Sequence, residues 1–127
     1  MKYIRCIPAY KDFLTAMFKA EKYRKPIEEN RAAGNYTEER ENIRLACLTF
    51  VDHLIDKWDF HVNVTGAENL PKEGPVVYIA NHQSYADALG TLKMISENHA
   101  IGYIGKDYFG KIPYFGKWVT RIRSIYI

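Results

Sequence analysis

The chain has 127 residues, enough for one folded core and too few for two domains of ordinary size. Hydrophobic residues make up 47% and charged residues 26%, which excludes wholesale disorder. The net charge is only +3, with seven Lys or Arg against two acids in residues 1–25 and five against one in 101–127, so the two ends are basic around a more acidic middle. That distribution favours an anionic partner: phospholipid, phosphorylated substrate or nucleic acid.

The first 25 residues carry Ile7, Tyr10, Phe13, Leu14, Met17 and Phe18 at helical spacing, and Pro26 is expected to close the pattern. Lys11 and Asp12 interrupt any signal-peptide core, and no stretch reaches the roughly 20 apolar residues of a spanning helix. The basic polar face and aromatic-rich apolar face suit two roles, lying on an anionic membrane or packing against the next helix. After a polar linker with Gly34 and Asn35, a second helix begins near Thr37. Glu38 and Glu39 stand in its first turn, where carboxylates complement the helix dipole. Its apolar face runs through Ile43, Cys47, Phe50, Val51, Leu54, Ile55 and Trp58. Residues 1–58 are thus expected to form an amphipathic helical hairpin ahead of a second unit at 59–127.

From Phe60 the period changes to two, with Phe60, Val62 and Val64 alternating with polar residues before a Gly and Pro-rich turn at 66–75. Residues 76–80 form a nearly continuous apolar run, expected to be a strand buried on both faces. A helix through Ala88, Leu89, Leu92 and Ile95 follows, then a strand at 100–105, a short helix around 115–122 and the start of a strand at 124–127. Alternation of this kind predicts an α/β fold with a mostly parallel sheet and covering helices. A strand that begins four residues from the end has nothing to cover it, so the chain is expected to be the N-terminal part of a longer, C-terminally truncated domain.

The junction of strand and helix, IANHQSYADAL at 79–89, places His82 and Asp87 five residues apart. One reading is structural: Ser84 and Asp87 have the Ser-x-x-Asp form of a helix-capping pair, and His82 is an ordinary loop residue. The other is chemical. A loop at a strand end can fold back so that Asp87 accepts from one imidazole nitrogen, leaving the other to take a proton from a bound hydroxyl. Such a pair suits direct acyl transfer to an alcohol, because the substrate supplies the attacking oxygen. Cys6 and Cys47 form neither a Cys-x-x-Cys pair nor a disulfide framework, and the four histidines do not cluster with them at metal-ligand spacing.

Over residues 60–127 the chain resembles the glycerolipid acyltransferases, in particular the lysophosphatidate acyltransferases. VTGAENLP at 64–71, ANHQSYAD at 80–87 and GKDYFGKIPYFG at 105–116 carry the likeness, in order and at family separations. The resemblance implies a glycerol-3-phosphate acyltransferase-like fold in which His82 is the general base and Asp87 orients it. The acceptor hydroxyl of a lysophosphatidate attacks the thioester of acyl-CoA or an acyl carrier protein, with no metal or prosthetic group. Lys106 matches a family lysine that contacts the acceptor phosphate, Asn81 is a candidate substrate-side residue holding the loop, and Pro113 and Gly116 shape the following turn and helix. The hairpin looks like the membrane-associating helices of some bacterial members, which implies a peripheral position on the cytoplasmic face of an anionic membrane. Nucleic acid is not an expected partner, since the basic residues sit in no nucleic-acid motif.

One departure matters. The family's Phe-Pro-Glu-Gly-Thr-Arg type block, whose arginine helps hold the acceptor phosphate, is absent from these 127 residues. Residues 1–127 alone are therefore expected to show little or no acyltransferase activity. The competing reading is a non-catalytic membrane- or protein-binding module derived from half an acyltransferase domain.

Overall fold

The computed structural model describes residues 6–127, with side chains from Pro8 onward. The expected contributions of Lys2, Arg5 and Ile7, and of the Cys6 thiol, lie outside what is described. Four long helices dominate: α1 (Cys6–Ala20), α2 (Arg24–Ala33), α3 (Tyr36–Lys57) and α4 (Tyr85–Ser96). They are followed by β1 (Ile104–Gly105), α5 (Tyr108–Lys111), α6 (Phe115–Arg121) and β2 (Ile125–Tyr126). The fold is mostly helical with one small parallel sheet, an α/β-like arrangement.

The hairpin expected at the N-terminus is broken differently from its sequence reading. Pro26 does not close the first helix; it lies in the first turn of α2, where a missing N–H is tolerated. Because it cannot donate to the Lys22 carbonyl, the helical path tightens just before it into a 3₁₀ turn at Glu21–Tyr23. Helix α2 ends on Gly34 at φ 74°, a left-handed cap that glycine adopts without a Cβ penalty, and Asn35 N–H donates to Asn30 O at 2.9 Å.

Helix α3 is the central post of the molecule. Ile43, Cys47 and Val51 on it pack with Met17 of α1, Ile27 of α2, Leu92 of α4 and Trp118 of α6 in one apolar core. Phe13 of α1 extends that core, edge-on to Phe50 at 5.3 Å and tilted against Phe115 at 5.5 Å. The core therefore draws on both sides of residue 58. At its polar end Glu39, 1% exposed, accepts from Arg31 Nε at 2.6 Å and from Arg123 Nε and Nη2, each at 2.8 Å. Arg31 Nη2 donates in turn to the Arg121 carbonyl. These contacts fix the turn into β2, where Arg123 itself adopts a positive φ of 63°.

Two expected strands are absent. Residues 60–64 and 76–80 are extended or irregular without ladder partners, and Val77 and Ile79 are 81% and 94% exposed rather than buried on both faces. An apolar run becomes a buried strand only when strands flank it and helices cover it, and among the described residues nothing does so here. The segment is tethered instead by the His99 ring, whose Nε2 lies 3.0 Å from the Pro71 carbonyl. The third expected strand shrinks to β1, and β2 pairs with it in parallel, Ile104 opposite Ile125.

Close approach of backbone explains one glycine. A Cβ on Gly116 would stand 2.2 Å from the Gly110 carbonyl oxygen, because α6 is laid directly on the end of α5. Gly116→Ala is expected to cost about 1–3 kcal/mol, seen as a fall in melting temperature. Gly90→Ala on α4 meets nothing within 4 Å and serves as the control, expected to be neutral or to stabilise by up to about 1 kcal/mol.

Candidate active site

Helix α4 starts where its sequence says it should. Ser84 is extended at φ −149° and ψ 153°, and its Oγ accepts from the Ala86 N–H at 3.2 Å. Asp87, in the first turn, reaches back so that its Oδ2 accepts from the Ser84 N–H at 2.8 Å and the Gln83 N–H at 2.7 Å. The structural reading of the Ser-x-x-Asp spacing is thus realised as a capping box.

The same oxygen faces the histidine. His82 Nδ1 lies 3.5 Å from Asp87 Oδ2, longer than a formed hydrogen bond and within ion-pair reach. The two readings of the junction are therefore not alternatives: the cap fixes the carboxylate, and the fixed carboxylate faces the imidazole. Donation from Gln83 N–H first, then from Ser84 N–H, holds the Asp87 carboxyl below the ordinary aspartate range, with the neighbouring His82 adding to it against a small loss of water. An ionised Asp87 at Nδ1 favours the tautomer with the proton there, which leaves Nε2 as a free acceptor. Both groups stand in the open, His82 with 65% and Asp87 with 40% of the side chain exposed.

Lys106 lies at the end of β1. Ile127 N–H donates to Gly105 O and Asp107 N–H to Ile127 O, so Lys106 is opposite Ile127 in the ladder. Its side chain is exposed and makes no ion pair among the described residues. Asn81 is likewise exposed, and its amide makes no hydrogen bond among the described residues, so the loop is held by Asp87 and Ser84 rather than by Asn81. Pro113 O accepts from the Phe115 N–H at 2.7 Å in a turn whose strained member is Tyr114, at φ 64°. Tyr114 is secured by donating from its hydroxyl to Glu21 at 2.9 Å.

Sequence reading assigned no role to Tyr85 or Tyr108. Reduced hydration, and the adjacent Tyr85 phenol, push the Tyr108 hydroxyl above its ordinary value.

The environment of Cys47 keeps its thiol out of chemistry. Burial pushes the Cys47 thiol up to about 12, so it stays protonated and unreactive at neutral pH. Among the described residues no three His, Cys, Asp or Glu side chains stand together as a metal site. Clefts of about 500 Å³, between residues 62–78 and the far end of α4, and about 340 Å³, between α2 and α6, are not lined by His82 or Asp87. The pair sits on an open face at the N-terminal end of α4.

A family model described as Acyltransferase matches residues 61–127, which includes the pair, Lys106 and the Pro113–Gly116 turn. No curated protein and no solved structure matches the chain.

Proposed function

The chain belongs to the acyltransferase family, and from that premise we propose that it takes part in acyl transfer from acyl-CoA or acyl carrier protein to the free hydroxyl of a lysophosphatidate in phospholipid synthesis. The observation that carries the reading is the His82–Asp87 approach of 3.5 Å within the matched region. In this reading His82 Nε2 removes the proton of the acceptor hydroxyl as its oxygen attacks the thioester carbon. The tetrahedral intermediate then collapses, the C–S bond breaks, and the imidazolium returns the proton to the departing thiolate. Asp87 holds the ring and stabilises its cationic form. Lys106 pairs with the acceptor phosphate, and Asn81 borders the substrate. The sheet and helices of 59–127 correspond to the first portion of a glycerol-3-phosphate acyltransferase-like domain.

Residues 1–58 supply the membrane-surface part of the proposal. Helix α1 divides its apolar stripe: Met17 and Ala20 are buried, whereas Tyr10, Leu14 and Phe18 are 65%, 38% and 74% exposed at four-residue spacing. Lys11 and Lys22 are close by in sequence, an arrangement suited to anionic lipid headgroups. No helix among the described residues is long and apolar enough to cross a membrane, so contact through α1 would be peripheral.

The test presents lysophosphatidate in anionic vesicles with radiolabelled acyl-CoA. Acceptor-dependent formation of phosphatidate little above background is expected, because the block whose arginine helps hold the acceptor phosphate is absent from these residues and an open site leaves the reacting groups in water. Label released only to water, with no dependence on the acceptor, contradicts the reading. Co-sedimentation with anionic vesicles, weakened by salt and by Phe18→Ser, is the companion result; equal absence from anionic and neutral vesicles removes the surface part.

A further inference from the structure

Helix α1 packs on α3 through Ala16, Met17 and Ala20, all buried, and a polar contact crosses the same seam. His53 of α3 is 9% exposed, and its Nδ1 lies 3.0 Å from Nζ of Lys19 on α1. An ammonium has protons to give and no lone pair to accept with, so Nδ1 is the acceptor and the neutral ring carries its proton on Nε2. Nε2 is buried and has no hydrogen-bond partner among the described residues. A second proton therefore has only Nδ1 to go to, where it faces the ammonium itself. The other charged groups about the ring are Asp12 of α1 and Asp56 and Lys57 of α3. Asp12 is engaged elsewhere, accepting from the Trp58 indole N–H at 3.2 Å. Burial first, then Lys19 and Lys57, hold the ring below the ordinary histidine value against the weaker pull of Asp12 and Asp56.

The chain also has a pivot beside this contact. Just beyond Ala20 it tightens into the 3₁₀ turn at Glu21–Tyr23. Glu21 is pinned there, accepting from the Tyr114 hydroxyl at 2.9 Å and the Trp118 indole N–H at 3.3 Å. Helix α1 can therefore leave α3 while α2 stays in place. We propose that His53 and Lys19 form a proton-operated latch: uptake of one solvent proton at His53 Nδ1 breaks its bond with the Lys19 ammonium and frees α1 to swing from α3 about the Glu21–Tyr23 turn. Above the ordinary histidine value of about 6.5 the ring is neutral whether α1 is docked or released, and the seam has its full strength. As pH falls below that value the released ring takes the proton first, so docking weakens progressively down to the lower value of the docked ring. The inference is independent of acyl transfer and of membrane contact.

Amide hydrogen exchange of the chain at about pH 7.5 and about pH 5, corrected for the intrinsic pH dependence of exchange, tests it. Protection of α1 is expected to fall by at least about fivefold at the lower pH, while that of α4 changes by less than about twofold. His53→Gln keeps an oxygen that accepts from Lys19 and takes up no proton, so its α1 protection should be indifferent to the same change of pH. Lys19→Gln is the second variant. Its amide can turn to accept from a charged ring, so α1 should again stop responding; if His53→Gln fails to fold, this variant and the wild-type chain decide. Wild-type α1 protection that does not change, or that falls in step with α4, overturns the proposal. So does a fall that persists undiminished in the variants, which would place the responsible proton elsewhere.

Discussion

Replacing His82 with alanine is expected to abolish the small acyl transfer that these residues support, since a positioned general base is usually worth about two to four orders of magnitude in rate. The size follows from the chemistry. At neutral pH an alcohol is a poor nucleophile until its proton has an acceptor, and among the described side chains His82 is the one held by a carboxylate on a helix start within the family-matched region. Because the imidazole is 65% exposed and packs on no core residue, the same substitution should leave stability within about 0.5 kcal/mol. A fall in rate without a fall in melting temperature therefore separates catalysis from folding. Asp87→Asn should also slow transfer, by less, since it keeps much of the cap but removes the charge that sets the ring tautomer. Asp87→Ala removes the cap as well, and about 1 kcal/mol of helix stability with it. Initial rates with saturating donor, compared across the three variants, check the order.

Replacing Glu39 with alanine is expected to be the most damaging single change to stability, at about 2–4 kcal/mol, a drop of some 10 °C or more in melting temperature. Glu39 is 1% exposed and accepts three charge-assisted hydrogen bonds, so its loss strands Arg31 and Arg123 against a buried wall. The guanidiniums are 32% and 51% exposed and can turn partly to water, which keeps the cost toward the lower half of that range. The consequence reaches beyond α3, because Arg123 holds the left-handed turn that delivers β2 to β1. Acid should reproduce part of the effect. Donation from Arg123 first, then from Arg31, holds the Glu39 carboxyl below its ordinary value despite burial. A depressed carboxylate contributes stability that is complete above the unfolded glutamate value of about 4.3 and is lost as pH falls through the lower folded value. The stability gap between the wild-type chain and Glu39→Gln should therefore stay flat above about pH 5 and shrink below pH 4, as urea melts across that range would show.

What sequence could foretell divides by the range of the interactions involved. Helix α3 and helix α4 are legible because apolar spacing and a local cap decide them: Ser84 and Asp87 meet within four residues, and the Gly34 turn is set by one residue's φ. The family of residues 61–127 is legible in three short blocks, and the family model matched over that range agrees with it. The strands expected at 60–64 and 76–80 fail for the opposite reason. Alternation and apolar runs record what a segment could bury, whereas pairing depends on neighbours that the described chain does not place beside it. Glu39 shows the same limit. Its position in the first turn of α3 is read correctly as a dipole partner, but its main partners include Arg123, 84 residues away, and no local pattern announces that contact. Pro26 misleads because a proline in the first turn of a helix and one ending a helix look alike in sequence.

For His82 to act as the base, Asp87 must fix its proton on Nδ1 and leave Nε2 free. Long-range ¹⁵N–¹H correlation spectra of the neutral imidazole report the tautomer directly and need no turnover. The Nδ1–H form is expected to dominate in the wild-type chain and to lose its dominance in Asp87→Asn. A wild-type ring carrying its proton on Nε2, with no response to Asp87→Asn, would mean that the carboxylate only caps the helix and that His82 is not prepared to act as a base.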